Sequence, residues 1–133
     1  MNEQANIAKI QSMYAAFGRG DVAAILAEVN PDVRWVNPGP SSIPYARERR
    51  GLDEVRQFFD EIYANVEVTS FEPREFFANG ERVVALGTWA GRAKPTGRSF
   101  ADEWAMAFTM KDGKVTSFRA YEDTYAQVQA FGG

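Results

Sequence analysis

Two residue types are missing from this chain of 133 residues, which contains neither cysteine nor histidine. The absence of cysteine excludes disulfide bonds, thiol nucleophiles and cysteine-based metal sites. The absence of histidine removes the side chain that serves most often as a general base and as a metal ligand. No metal-ligand cluster and no nucleotide-binding glycine motif stands in for them, so we expect neither a metal nor a cofactor.

Excess charge of one sign and long apolar runs are missing as well. The chain has 15 Lys and Arg against 18 Asp and Glu, a net charge of −3, which disfavours a nucleic-acid partner. No apolar run approaches the roughly 18 residues of a membrane span, and the N-terminus lacks the basic segment of a secretory signal. We expect a cytoplasmic protein with no membrane partner and a single domain over residues 1–133.

Apolar residues at helical spacing predict three helices in the first half of the chain. The first ends at the glycines of 18–20, the second is short, is capped by Asp21 and runs to about Val29, and the third begins at Gly51. The apolar face of the first helix consists of Ile7, Ile10, Tyr14 and Phe17.

Alternation of apolar and polar residues predicts strands elsewhere. A short strand, Val33–Asn37, precedes a proline-rich loop at 38–44 that is placed to cover a cavity. Four longer strands are predicted at 66–77, 82–94, 100–110 and 115 to about 124, with hairpin turns at Asn79-Gly80 and Asp112-Gly113. This order predicts an α+β fold in which helices pack on one face of a mostly antiparallel sheet.

Five short motifs occur in the same order as in a known superfamily. They are Tyr14–Asp21, Trp35–Pro38, Arg50–Asp53, Pro95–Ser99 and Asp112–Val115, with Tyr121 beyond them. On these motifs the chain resembles the nuclear transport factor 2-like superfamily, in its SnoaL-like branch, with ketosteroid isomerase and limonene epoxide hydrolase as relatives. The resemblance implies a cone-shaped, mixed sheet wrapped around N-terminal helices, a cystatin-like α+β barrel.

The same resemblance implies a cavity for a small apolar compound of polyketide, terpenoid or steroid-like type. Isomerase, cyclase or hydrolase activity by general acid–base catalysis is one reading. Binding without catalysis is another, and a dimeric interaction domain with a filled core is a third.

Several residues that carry out the relatives' chemistry are absent. In ketosteroid isomerases the position of Asn37 resembles that of the aspartate that moves the proton. An amide cannot accept that proton. In limonene epoxide hydrolases the position resembles an asparagine that holds water, a role open to Asn37; its alternative role is to end the strand before a proline. The hydrolase's charged residues correspond to Gly87, Trp89 and Ala120, and a SnoaL-type histidine corresponds to Met106.

Four polar residues remain as candidates for catalysis: Asn37, Glu122, Asp102 and Tyr14. A carboxyl group in an apolar cavity has a raised pKa and can act as acid or base. Glu122 has the parity of the inward residues, although a frayed, solvated strand end is the alternative. Asp102 is expected near the cavity mouth, and Tyr14 either polarises a ligand carbonyl or packs in the core.

A wall of mostly aromatic residues is predicted around the ligand, with a filled core as the alternative. Its members are Trp35, Trp89, Trp104, Met106, Phe108, Phe118 and Ala120.

Two surface features complete the expectations. The basic stretch at 47–50 is predicted to be a solvated loop. The outer face of the fifth strand is small and mostly apolar, which indicates association and predicts a homodimer. That face consists of Ala101, Glu103, Ala105, Ala107 and Thr109.

Overall fold

The computed structural model describes residues 2–133, which form four helices and six strands. The helices are α1 (Glu3–Arg19), α2 (Val22–Leu26), α3 (Gly51–Asn65) and α4 (Thr124–Ala130). The strands are β1 (Val29–Asn37), β2 (Arg47–Arg50), β3 (Val66–Asn79), β4 (Arg82–Ala93), β5 (Ser99–Lys111) and β6 (Lys114–Glu122). None of the helices in this part of the chain is long and apolar enough to cross a membrane.

The six strands form one curved, unclosed sheet in the order β2-β1-β6-β5-β4-β3. Strands β1 and β6 run parallel, and every other neighbouring pair is antiparallel. Helix α3 packs on β1 and β2, α1 packs on β3, and α4 packs on β5. The predicted fold class, α+β with a mostly antiparallel sheet around N-terminal helices, is confirmed.

The junction between α2 and β1 differs from the prediction. Helix α2 ends at Leu26, and β1 already begins at Val29 and includes Pro31. Pro31 has no N–H to give to a neighbouring strand, and it lies where the register between β1 and β6 shifts, between Val29 and Arg34. The irregularity therefore lets the strand continue through the proline.

The two hairpin turns differ in geometry. At the second turn both residues have positive φ, 52° at Asp112 and 77° at Gly113, as expected. At the first turn only Gly80 does, with φ of 60°, because Asn79 is the last residue of β3 and pairs with Arg82. The expectation of two positive-φ residues at Asn79-Gly80 is therefore wrong, although the hairpin itself is present.

The C-terminal segment forms a helix that the sequence analysis did not predict. Strand β6 ends at Glu122, and the side chain of Asp123 accepts a hydrogen bond of 3.4 Å from the backbone N–H of Ala126. The chain then follows α4 back over β5, and Gly133 N–H donates to the Val128 carbonyl at 3.0 Å. This helix brings the Gln127 side chain into hydrogen-bond contact with Asp102 of β5 and Glu122 of β6.

The basic stretch at 47–50 is a strand rather than a solvated loop, so that prediction is wrong. Arg49 is 0% exposed and donates to Glu61 Oε1 at 3.1 Å and to the Glu54 carbonyl at 3.2 Å. Its guanidinium carbon lies 5.5 Å from the centre of the Phe58 ring. Alternation along β2 turns this one arginine inward, where α3 supplies its partners.

Candidate functional site

A cavity of about 70 Å³ lies between the helices and the inner face of the sheet. Aromatic side chains from helices and strands form most of its wall, among them Tyr14, Phe17, Trp35, Phe59, Phe71 and Phe118. Apolar cavities of about 150 Å³ accommodate benzene, so this one is too small for a ring compound without movement of its wall. Met13 and Met106 also line it, and their unbranched side chains are the most adaptable of the lining groups.

The aromatic wall is built across strand pairs. Trp35 and Phe118 are neighbours in register on β1 and β6, and their rings stack with centres 4.1 Å apart. On the other side Phe71 stacks on Trp104 at 5.2 Å, and the Tyr14 ring lies 5.5 Å from Trp104. Side-chain alternation places these rings on one face of the sheet, so a curved sheet gathers them around the cavity.

The predicted wall residues fall into two groups. Five line the cavity, namely Trp35, Trp89, Met106, Phe108 and Phe118. Trp104 and Ala120 are buried on the same face but do not line it. Trp104 packs over Gly87, where an added Cβ would lie 2.3 Å from its ring. The position at which the resemblance to epoxide hydrolases implies an arginine thus has no room for a side chain.

Of the four polar candidates, Tyr14, Asn37 and Glu122 line the cavity, whereas Asp102 is buried beside it. The Tyr14 hydroxyl donates to Met106 Sδ at 3.2 Å, a weak acceptor, and burial raises the pKa of this phenol well above its ordinary value. Tyr14 is therefore a neutral donor at physiological pH. Asn37, at the end of β1, is 4% exposed.

Glu122 is the carboxyl group in the wall of this apolar cavity. It lies half-buried at the end of β6, opposite Trp104 of β5, and its Oε1 accepts a hydrogen bond of 3.2 Å from Gln127 Nε2. Burial, helped by the negative charge of Asp102, raises its pKa to about 7, against the opposing effect of Gln127. Near neutral pH this group is therefore poised to gain or lose a proton.

Asp102 forms a second buried carboxyl next to the first. It is 6% exposed, its Oδ2 accepts a hydrogen bond of 2.7 Å from Gln127 Nε2, and its Oδ1 has no partner among the described residues. Burial raises the pKa of Asp102 to about 6, with a further contribution from the charge of Asp123. The indole N–H of Trp89 lies near enough to lower the pKa of both carboxyls, but it makes no hydrogen bond of normal geometry.

Two residues of this polar cluster escaped the sequence analysis. Gln127 lies on α4, and Tyr45 lies beyond the proline-rich loop, where its hydroxyl donates to Gln127 Oε1 at 2.6 Å. Burial and the charges of Glu122 and Asp102 raise the pKa of Tyr45. Asp123 as a helix cap, followed by alanine and glutamine, was an available signal for α4. Nothing in the sequence indicates that Tyr45 reaches this helix.

Comparisons with known proteins agree with the predicted resemblance. The family model of the SnoaL-like domain matches residues 10–118. A nuclear transport factor 2-like protein from Burkholderia xenovorans LB400 is 39% identical over 98% of both chains, with a TM-score of 0.90. One of unknown function from Burkholderia pseudomallei K96243 is 30% identical over 100% of both chains, with a TM-score of 0.89.

A third solved structure is that of TerC, co-crystallised with polyporic acid. It is 29% identical, the match covers 97% of this chain and 99% of TerC, and the TM-score is 0.86. No curated protein matches the chain.

Proposed function

Because the chain belongs to the SnoaL-like domain family, we propose that its cavity, widened by movement of the Met106 side chain, binds a small apolar ring compound on which Glu122 acts as a general acid–base. The observation that carries the proposal is the position of Glu122, a carboxyl group with a raised pKa in a wall that is otherwise mostly apolar. The compound class is polyketide, terpenoid or steroid-like, and the reaction is an isomerisation, a ring closure or a hydrolysis.

The chemistry follows from the ionisation of Glu122 near neutral pH. Its carboxylate accepts a proton from a carbon or hydroxyl of the ligand, and the resulting acid returns that proton to another atom. In an isomerisation or ring closure the proton balance is then kept within the cavity. Tyr14 donates a hydrogen bond to a ligand oxygen after leaving Met106 Sδ, and the Asn37 amide orients the ligand or a water.

Binding without catalysis is the second candidate. The observation that favours it is the absence of the relatives' reactive groups, since Asn37, Gly87, Trp89 and Ala120 occupy their positions. The co-crystallisation of TerC with polyporic acid supports small-molecule binding in this fold, and it is silent on turnover by the present chain.

We also propose that the functional unit is a homodimer formed through the outer face of the sheet. Ala105, Ala107 and Thr109 of β5 are only partly covered there, and Tyr121 of the neighbouring β6 is exposed. A flat face of small residues suits sheet-to-sheet packing against a second copy. A sedimentation measurement that gives a monomer at micromolar concentration would remove this part of the proposal.

The binding test is a thermal-unfolding screen against apolar ketones, epoxides and lactones. A compound at 100 times its dissociation constant stabilises the native state by about 2.7 kcal/mol, a shift of several degrees in Tm. The variant Met106→Phe fills the cavity and abolishes the shift. Shifts that persist in Met106→Phe would place the binding elsewhere, and no shift with any compound would contradict the proposal.

For a compound that binds, turnover separates the two candidate functions. Glu122→Gln keeps the shape of the side chain and removes the titrating group, so we expect a loss of turnover with binding retained. The matched control is Glu81→Gln, an exposed glutamate in the turn between β3 and β4, away from the proposed dimer face. Turnover that survives in Glu122→Gln would exclude Glu122 as the acid–base, and binding without turnover in the wild type favours the second candidate.

A further inference from the structure

Gln127 is only 1% exposed, and its amide oxygen and amide nitrogen both find hydrogen-bond partners inside the protein. Its Oε1 accepts from the Tyr45 hydroxyl at 2.6 Å, and its Nε2 donates to Asp102 Oδ2 at 2.7 Å and Glu122 Oε1 at 3.2 Å. These contacts join four parts of the chain: α4, β5, β6 and the segment after the proline-rich loop. A buried amide with this arrangement has one favourable orientation.

The two carboxyls decide which way the amide faces, because an ionised carboxyl only accepts hydrogen bonds, whereas the Tyr45 hydroxyl can donate or accept. A phenol hydrogen directed at Oε1 leaves both N–H groups of Nε2 for the two carboxyls, which are acceptors when ionised. The reverse orientation would set the amide oxygen against two carboxyl groups and leave the Nε2 hydrogens facing the Tyr45 hydroxyl. The bonds from Gln127 thus hold the Glu122 and Asp102 side chains close together.

We propose that Gln127 is a positioning residue that fixes the Glu122 carboxyl at the cavity wall and couples it to Asp102. The inference rests on the proposed role of Glu122, and it assigns to α4 and Tyr45 a part in the site. Helix α4 is then a component of the acid–base machinery rather than a C-terminal cover.

The charged and polar groups around Glu122 and Asp102 set the pKa of Glu122, and a titration can therefore test this proposal. The titratable and polar groups that face it come from β4, β5, β6, α4 and the segment after the loop, and they are Trp89, Asp102, Glu122, Asp123, Gln127 and Tyr45. No ion pair among residues 2–133 includes Asp102 or Glu122. The negative charge of Asp102 therefore raises the pKa of Glu122, whereas the N–H groups of Gln127 lower it.

The experiment is a ¹³C NMR titration of the Glu122 carboxyl in the ligand-free full chain. We expect Asp102→Asn to lower the midpoint and Gln127→Leu to raise it, each by about one pH unit. A role confined to packing would leave the midpoint in place. The matched control is Gln129→Leu, an exposed glutamine on the same helix, which leaves the midpoint unchanged.

Tyr45→Phe provides a second variant that keeps the amide. Without the phenol hydrogen Gln127 Oε1 loses its donor and the amide is held less firmly against the carboxyls, so the Glu122 midpoint rises, but by less than in Gln127→Leu. If Gln127→Leu does not fold, Tyr45→Phe carries the test with the same sign.

The inference is overturned if the midpoint moves by less than about 0.2 pH units in Tyr45→Phe and in any folded Gln127→Leu. The same result with ligand binding intact leaves the proposed function standing. A screen without binders, combined with the expected shifts of the midpoint, overturns the proposed function alone.

Discussion

Residues 2–133 bury charged side chains in two places, and the two differ in how their charge is balanced. Arg49 is held by Glu61, by two backbone carbonyls and by the face of Phe58. Asp102 and Glu122 share a neutral amide and face no cation among the described residues. One site resembles a structural ion pair, whereas the other keeps an unbalanced charge beside a cavity.

This contrast distinguishes a buried charge that stabilises the fold from a buried charge that is available for function. A buried ion held by a carboxylate and backbone carbonyls is costly to break, and nothing about it depends on a ligand. A buried carboxyl pair without a cation is itself costly when ionised, and such perturbed groups cluster at functional sites. The two sites therefore respond in different ways to substitution and to pH.

The largest effect is expected at the balanced site. Arg49→Ala removes a 0% exposed guanidinium and strands its partners, so the free energy of unfolding falls by about 3–5 kcal/mol in urea denaturation. The matched control is Arg47→Ala, because Arg47 pairs with the same Glu61 Oε1 at 3.2 Å but has a side chain that is 51% exposed. We expect Arg47→Ala to lower the free energy of unfolding by less than about 1 kcal/mol. Equal losses in both variants would contradict the contrast.

The second effect is a pH dependence that comes from the unbalanced site. The folded-state pKa values of about 7 for Glu122 and about 6 for Asp102 exceed those of the unfolded chain. The native state thus binds more protons, and stability is greatest below about pH 4 for these groups and falls as pH rises through 6–7. Because Glu122 is only half-buried, we expect a total loss on the order of 2 kcal/mol.

Urea denaturation between pH 5 and 8 measures that loss. Glu122→Gln reduces the slope and makes the protein more stable than the wild type at pH 8. Glu81→Gln leaves the slope unchanged, since this glutamate is exposed in the turn between β3 and β4. A stability that rises with pH over this interval would mean that the carboxyls are balanced in the native state.

The smallest effects distinguish two buried tyrosines. Tyr45→Phe leaves the Gln127 carbonyl without its donor and lowers the free energy of unfolding by about 1–2 kcal/mol. Tyr14→Phe loses only a bond to Met106 Sδ, and we expect less than about 0.5 kcal/mol. A larger loss at Tyr14 than at Tyr45, measured by thermal unfolding, would contradict the assignment of Tyr45 to the polar network.

Periodicity predicted the fold well because most of its elements carry a regular apolar pattern. The faces of α1 and α3 and the alternation in β3 to β6 follow directly from residue spacing. Family resemblance added the curvature, and with it a cavity near Trp35 and Phe118. The short elements were harder, since β2 reads as a charged run and α4 follows a strand without a glycine or proline between them.

The polar part of the site was less predictable. Alternation shows that Asp102 and Glu122 face inward, but it cannot show the depth at which each side chain lies. Nor can it show that Gln127 returns to both carboxyls, since a contact between residues 25 positions apart depends on the whole fold. The burial of Arg49 was not predicted for the same reason. Its partner Glu61 lies on α3, and the charged run at 47–50 does not show that one of its arginines faces that helix.

The most direct test of an unbalanced acid at the cavity is the titration midpoint of Glu122 in the ligand-free wild-type protein. Carboxyl ¹³C NMR over pH 3–9 reports it for this residue alone. The structure predicts a midpoint of about 7. A midpoint near the ordinary 4.5 of a glutamate would show that Glu122 is solvated, and the acid–base role would then be lost.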